Sequence, residues 1–339
     1  MDAAVIWHEA YDEHDTSGHI EGPDRARAVI DHLKDSDLWE RLTLVTPRPA
    51  TVDDVLRVHT EAYVRRVERT ATAGGIWLDP DTFASPRSFE TALLAVGGAL
   101  EIARQWDEGR ASFALVRPPG HHALPNRAMG FCLFNNIAIL ARTLLEGGLE
   151  RVAILDWDVH QGNGTQAAFY DEPRVLFCSL HQWPFYPGTG WLDETGTGAG
   201  EGFTVNVPLP AGSQDGDYVH AFARLIEPIV TQFAPQAVLV SAGQDIHVDD
   251  PLGSMAVTEK GFAQMALRAL RLAEASAAGR LGLVLEGGYD RLATAQAVAA
   301  IMRALLDEDA ADVGGPTQHG LIAVGRVVQE QRKYWDLEE

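Results

Sequence analysis

Arg151-Val152-Ala153-Ile154-Leu155-Asp156-Trp157-Asp158-Val159-His160-Gln161-Gly162-Asn163-Gly164 is the stretch from which the fold is read. It opens as a short apolar run, reads as a buried strand, and ends in polar residues and two glycines. A parallel strand delivers side chains to a pocket in this way, because in open α/β sheets the ligand site lies outside the carboxyl ends of the strands. Asp156, Asp158 and His160 alternate, so an extended backbone would point them to one side. Two carboxylates and an imidazole at one strand end repel and desolvate badly without a cation, and a divalent metal supplies one. The competing reading is a turn held by local side-chain-to-backbone bonds. Other segments weigh against it.

Outward from this stretch the same alternation continues. Further strands are expected at 3–7, 42–45, 113–116, 175–180, 203–207, 237–241 and 281–285. Helices are expected at 23–33, 51–59, 62–70, 89–106, 134–145, 166–170, 218–233, 258–278, 293–306 and 323–334. Pro23 suits a first helical turn, and Thr51 caps the second helix. Residues 8–21, 73–86 and 181–202 read as loops. This pattern predicts an α/β fold: one open, mostly parallel sheet flanked by helices, with residues 1–339 as a single domain. The loops after strands are the longer and more polar ones, so functional residues should gather on one rim.

Composition narrows the function. Of 339 residues, 46% are hydrophobic, enough for a sizeable core. No apolar run approaches the ~18 residues of a membrane span, and the N-terminus lacks the basic region of a signal peptide. The chain is therefore expected in the cytoplasm, with no membrane partner. A net charge of −21 disfavours direct nucleic-acid binding and would attract cationic substrates, although solubility alone accounts for such a charge. Cys132 and Cys178, the only cysteines, make no disulfide framework and no Cys-x-x-Cys pair.

Four strand ends supply chemistry. They carry His121 and His122; Asp156, Asp158 and His160; Asp245; and Tyr289. Asp158, His160 and Asp245 make a three-ligand zinc site with a place left for water, and carboxylate-rich ligation leaves Fe²⁺ or Mn²⁺ open. His247 is a rival ligand, read in preference as a solvated loop histidine. Beside a metal, His121 and His122 become candidates for general base and general acid. Asp156 could orient one of them and Asn163 the other. Tyr289, after two glycines, could donate a hydrogen bond to a developing oxyanion. No Gly-x-Ser-x-Gly elbow, dinucleotide fingerprint or Walker loop is present.

Taken together, Arg117-Pro118-Pro119-Gly120-His121-His122, Gly130-Phe131-Cys132, Asp156-x-Asp158-x-His160-x-Gly162-Asn163-Gly164-Thr165, Pro187-Gly188-Thr189-Gly190, Asp245 and Glu286-Gly287-Gly288-Tyr289 resemble the histone deacetylase superfamily. The closer likeness is to class II members and bacterial histone deacetylase-like amidohydrolases, partly because Asn163 stands where class I has Asp. The resemblance implies the arginase–deacetylase fold, Zn²⁺ on Asp158, His160 and Asp245, and removal of acyl groups from amines. It implies that His121 pairs with Asp156 and stays protonated. His122 pairs with Asn163 as general base, and Tyr289 polarises the substrate carbonyl. It implies a substrate channel lined by Gly130, Phe131, Tyr186 and Leu252. It also implies a structural K⁺ around Asp156, Asp158, His160, Ser179 and Leu180, a second near Phe169 and Val175, and Arg25 in an inner cavity. Two positions depart from the family: Tyr186 replaces a common Phe, and Gln244 replaces the Phe before the metal Asp. Leu252, where polyamine-specific relatives carry an acidic gate, favours acyl-lysine or a neutral amide, although Asp249 and Asp250 lie close by. The expected partner is an acylated lysine or small acylated amine, with a homo-oligomer left open. The alternatives are an acetylpolyamine deacetylase, an arginase-like binuclear manganese hydrolase, and a non-catalytic protein that binds acylated amines or metal.

Overall fold

The computed structural model describes residues 2–16 and 18–338. Its centre is one eight-stranded sheet. The strands are β1 (Asp2–Ile6), β2 (Leu42–Val45), β5 (Arg110–Ala114), β6 (Val152–Asp156), β7 (Val175–Gln182), β8 (Thr204–Leu209), β9 (Ala237–Ala242) and β10 (Leu281–Leu285). β3 (Ile76–Trp77) and β4 (Phe83–Ala84) form a separate antiparallel hairpin. The main sheet runs β2-β1-β5-β10-β9-β6-β7-β8, and every pair in it is parallel. The inner strands are buried on both faces, which explains why they read as unbroken apolar runs.

Helices cover both faces. Ser88–Asp107 and Asn136–Glu146 pack on one side with Ile6, Val152, Ile154 and Leu239. Glu259–Ser276 and Arg291–Leu305 pack on the other with Leu155, Val240 and Leu283. Because all strands point one way, their carboxyl ends share a rim. β10, β9 and β6 are neighbours there, although β6 and β9 are far apart in sequence, with Val152 paired to Ala237.

Several expectations change in detail. The 73–86 stretch is not wholly loop: it contains the β3–β4 hairpin, whose two-residue strands are too short for a sequence period to reveal. The 8–21 loop, in which Ser17 lies outside the described residues, holds a 3₁₀ turn at Glu9–Glu13. The last helix starts earlier, at Gln318, because the Thr317 side chain caps it through Gly320 N–H. Asp156, Asp158 and His160 do not share one extended face. The strand stops at Asp156 and the chain bends, since backbone N–H groups of Asp158 and His160 turn back onto the carboxylates two residues earlier. The bend separates Asp156 from the other two.

Candidate active site

A cavity of about 220 Å³ opens at the carboxyl rim of the sheet. The loops after β5, β6, β9 and β10 meet beneath it. The four expected channel residues Gly130, Phe131, Tyr186 and Leu252 all line it, together with His121, His122, His160 and Tyr289.

Asp158, His160 and Asp245 converge so that one ligand atom from each lies within 4.8 Å of the others. His160 Nδ1 stands 3.1 Å from Asp158 Oδ1 and 3.2 Å from Asp245 Oδ2. Both carboxylates are fully buried. Backbone N–H groups hold them in place: Gly287 donates to Asp158 Oδ2 at 2.8 Å and Val159 to Asp245 Oδ1 at 2.9 Å. A Cβ at Gly243 or Gly287 would collide with these carboxylates, so only glycine leaves the cradle open. Asp245 Oδ2 accepts no hydrogen bond, although it is buried. Such an atom is costly unless an ion takes it up. The electrostatics agree. Burial would lower His160, yet the carboxylates of Asp158 and Asp245 beside it push it up to about 9, so the pair draws positive charge between them. The donor set of two carboxylates and an imidazole therefore fits a divalent transition metal. His247 is not in this group. It is buried, not solvated as expected: it stacks on Phe262 and its Nδ1 accepts the Asp249 N–H at 3.1 Å.

His121 and His122 stand side by side, ring centroids 4.0 Å apart, in opposite electrostatic settings. His121 Nδ1 is 3.0 Å from Asp156 Oδ2, and its Nε2 is 3.7 Å from Asp158 Oδ1. Burial opposes charge there, but Asp158, Asp156 and Glu286 raise the imidazole to about 10. His122 Nδ1 meets Asn163 Oδ1 at 2.7 Å. The amide oxygen can only accept, so Nδ1 carries the proton and Nε2 keeps its lone pair. Burial pushes His122 well below the usual imidazole value, and His121 and His160 push it further. One histidine is thus held protonated and the other neutral.

Tyr289 has its backbone N–H on Asp250 Oδ2 at 2.6 Å, and its ring meets the edge of Phe131. The Arg25 guanidinium lies 4.7 Å from the Tyr289 ring centre and donates to Gly288 O and Glu286 O, both at 2.6 Å. Burial raises the phenol well above 10, so it remains a hydrogen-bond donor at neutral pH. Gly130 and Phe131 are both left-handed, at φ 56 and 68. A side chain on Gly130 would strike the His122 ring. Thr82 Oγ1 accepts the Phe131 N–H at 3.0 Å and helps hold that strained conformation. Tyr186 is 38% exposed and meets the His122 ring edge-on. Gln244, fully buried, donates from Nε2 to Ala242 O at 2.8 Å. Asp156 pairs in register with Ser179 on one side and Ser241 on the other.

The roles of three carboxylates escape sequence reasoning. Glu286 is fully buried and accepts the Gly120 N–H at 2.7 Å, the His121 N–H at 3.0 Å and the Ser241 hydroxyl at 3.1 Å. Asp250 gathers N–H groups from Leu252 at 2.9 Å and Tyr289, tying two rim loops together. Asp81 lines the cavity. The first two act on backbone groups of distant loops, which leave no mark in sequence. Asp81 sits in a loop rich in Gly, Pro and Asp where no one carboxylate stands out.

The profile of the histone deacetylase domain matches residues 19–305. A probable deacetylase of Archaeoglobus fulgidus is 48% identical over 294 residues, covering 85% of this chain and 82% of its own length. The histone deacetylase-like amidohydrolase of Pseudomonas aeruginosa is 42% identical over 277 residues, covering 80% and 73%. The crystal structure of the HDA15 HD domain superposes with a TM-score of 0.92 at 37% identity, over 98% of this chain and 95% of that one. The chain belongs to the histone deacetylase family, and its parallel sheet with flanking helices is the arginase–deacetylase fold.

Proposed function

We propose that this protein is a metal-dependent amidohydrolase that removes acetyl or other short acyl groups from lysine side chains. The observation that carries the proposal is the shared cavity. A buried carboxylate–imidazole triad, a protonated histidine, a neutral histidine and a buried phenol all border or underlie one 220 Å³ space. Asp158, His160 and Asp245 are proposed to hold Zn²⁺, with Fe²⁺ as the alternative. When bound, such an ion polarises an acyl carbonyl and makes water acidic enough to react near neutral pH.

The residues then divide the work. His122, neutral with its Nε2 lone pair available, takes the proton of the attacking water. Asn163 fixes its tautomer without adding charge. Tyr289 donates its hydroxyl proton in a hydrogen bond to the oxygen that becomes negative. Arg25 under its ring and Asp250 on its backbone N–H hold the phenol in position. His121 keeps its proton through Asp156 and adds positive charge beside the reacting atoms. His122, once protonated, returns the proton to the leaving amine. Gly130, Phe131, Tyr186 and Leu252 form the walls that receive the acyl-lysine stem.

We further propose a structural K⁺ around Asp156, Asp158, His160, Ser179 and Leu180, a reading supported by the register of Asp156 beside Ser179. No helix among the described residues is long and apolar enough to cross a membrane. A cytoplasmic setting and a single catalytic unit over the whole chain belong to the same proposal.

The acetylpolyamine reading has one observation in its favour, the carboxylate of Asp81 in the cavity lining. Against it, Asp250 is occupied by backbone N–H groups and apolar Leu252 lines the wall. Metal-loaded protein should release acetate from an acetyl-lysine peptide with a higher kcat/KM than from acetylspermidine. The reverse order would replace acyl-lysine by polyamine, and hydrolysis of neither would remove the amidohydrolase reading.

A further inference from the structure

The Pro187-Gly188-Thr189-Gly190 motif has no task in the chemistry above, and a buried histidine, His181, stands behind it. We propose that His181 is a positioning residue: it ties this loop to the sheet and so sets the width of the channel that receives the acyl group. This deepens the acyl-lysine reading and rests on it.

The bonds of His181 are the first argument. It is the last residue but one of β7, and it is buried. Its Nε2 meets Gly190 O at 2.9 Å and its Nδ1 meets Ser179 Oγ at 3.0 Å. A carbonyl only accepts, so Nε2 donates to Gly190 O, and in a neutral ring Nδ1 accepts the Ser179 hydroxyl. Ser179 is itself fixed in the ladder between Asp156 and Asn206. Gly190 is left-handed at φ 93, and a Cβ there would strike Gln161 and His181, so the loop lies directly against the imidazole. The remaining ties run from loop to loop. The Thr189 hydroxyl donates to Gln161 Oε1 at 2.8 Å, and Glu194 Oε1 accepts the Gly190 N–H at 2.8 Å and the Trp191 N–H at 3.0 Å. Among these partners only His181 belongs to a strand.

What the loop carries is the second argument. Phe185 stacks on the His160 ring, centroids 5.2 Å apart at 18°. Tyr186 meets the His122 ring edge-on at 5.1 Å and lines the catalytic cavity. Both precede Gly190 on the segment that leaves β7 after Gln182. The Trp183 N–H on Leu209 O, at 2.8 Å, holds its outgoing end, and His181 holds its returning end. A wall built on a loop keeps its place through such supports. Releasing the returning end lets Tyr186 draw back from His122, which widens the channel and leaves Asp158, His160 and Asp245 as they are.

Three substitutions separate this role from simple filling of space. His181→Gln keeps a donor that reaches Gly190 O. His181→Asn is one methylene shorter and reaches only Ser179. His181→Phe keeps the ring volume and neither bond. Each metal-loaded protein is compared with the unmodified one on acetyl-lysine and hexanoyl-lysine peptides, and hydrogen exchange of the 183–191 amides is followed in parallel. His181→Asn and His181→Phe should raise KM for the acetyl peptide about tenfold, leave kcat within about threefold, and move the kcat/KM preference about tenfold towards hexanoyl. Exchange at Gly190 and Trp191 should speed up in both, while β7 stays protected. His181→Gln should keep KM, preference and protection near those of the unmodified protein. The Gln and Asn comparison stands even where His181→Phe fails to fold. The proposal is overturned if His181→Phe or His181→Asn matches the unmodified protein, or if His181→Gln is as impaired as they are. Faster exchange in His181→Asn with protection kept in His181→Gln, but no turnover of either peptide by any form, would instead sink the deacylase reading and keep His181 as the support of the loop.

Discussion

Two buried charged clusters sit side by side in this molecule, and they are built on opposite principles. In the first, Arg117 is 1% exposed and spends its guanidinium on Glu21, Thr16 and the carbonyls of Tyr11, His14 and Glu21. Glu21 also receives Arg25 at 3.1 Å. Its charges are paired and its donors used. In the second, Asp158, His160 and Asp245 carry two carboxylates to one imidazole, and Asp245 Oδ2 accepts no hydrogen bond. The first cluster ties the chain before the first long helix to the loop that carries His121 and His122. The second requires something the polypeptide does not supply. Buried polar groups that are fully paired build a scaffold, whereas those left short of a partner mark where chemistry enters.

The largest effect should come from breaking the incomplete cluster. Asp245→Asn removes a charged ligand, so metal content by elemental analysis and acetyl-lysine turnover should both fall to background while the circular dichroism spectrum stays native. Turnover that survives without metal contradicts the assignment. Breaking the complete cluster should do the reverse. Arg117→Met leaves Glu21 with Arg25 alone and the carbonyls of Tyr11 and His14 without this donor in the interior, and should cost about 3–5 kcal/mol of stability in urea unfolding. A loss below about 1 kcal/mol would show that the network is not the scaffold described.

Tyr289→Phe sharpens the contrast within the site. It deletes one donor to the developing oxyanion and should lower kcat by about 10²–10³, with metal content unchanged. Loss of metal instead would count against its role. Asn163→Asp should produce the mildest change. A carboxylate at the His122 Nδ1 favours the protonated ring and raises its pKa by about 1–3 units. His122 acts as base only when neutral, so the acidic limb of the kcat/KM profile should move to higher pH. In the unmodified protein that limb should lie on the acid side of the ordinary imidazole range, since burial, then His121 and His160, hold His122 below its usual value. An unmoved limb would assign the base elsewhere.

The same contrast explains what sequence reveals. A fully buried parallel strand is a run of apolar residues stopped by polar ones, and Val152–Asp156, Ala237–Ala242 and Leu281–Leu285 have that form. Their shared direction then brings Asp158, Asp245 and Tyr289 to one rim, so the incomplete cluster is legible from its residue types and positions. The complete cluster is not. Arg117 and Glu21 meet across 96 positions, and nothing local announces the pair. The roles of Glu286 and Asp250 are hidden for a related reason, since most of their partners are backbone N–H groups that nearly every residue carries. The β3–β4 hairpin escapes because two residues show no period. The bend after Asp156 escapes because it depends on carboxylate-to-backbone bonds that compete with the strand ladder.

The most direct test titrates metal-free protein with Zn²⁺ while following hydrolysis of a fluorogenic acetyl-lysine substrate, then adds a hydroxamate chelator. Turnover should rise linearly to one Zn²⁺ per chain and disappear with the chelator. Full turnover in the metal-free protein, or one bound Zn²⁺ with no hydrolysis of any acyl-amine offered, would contradict the account.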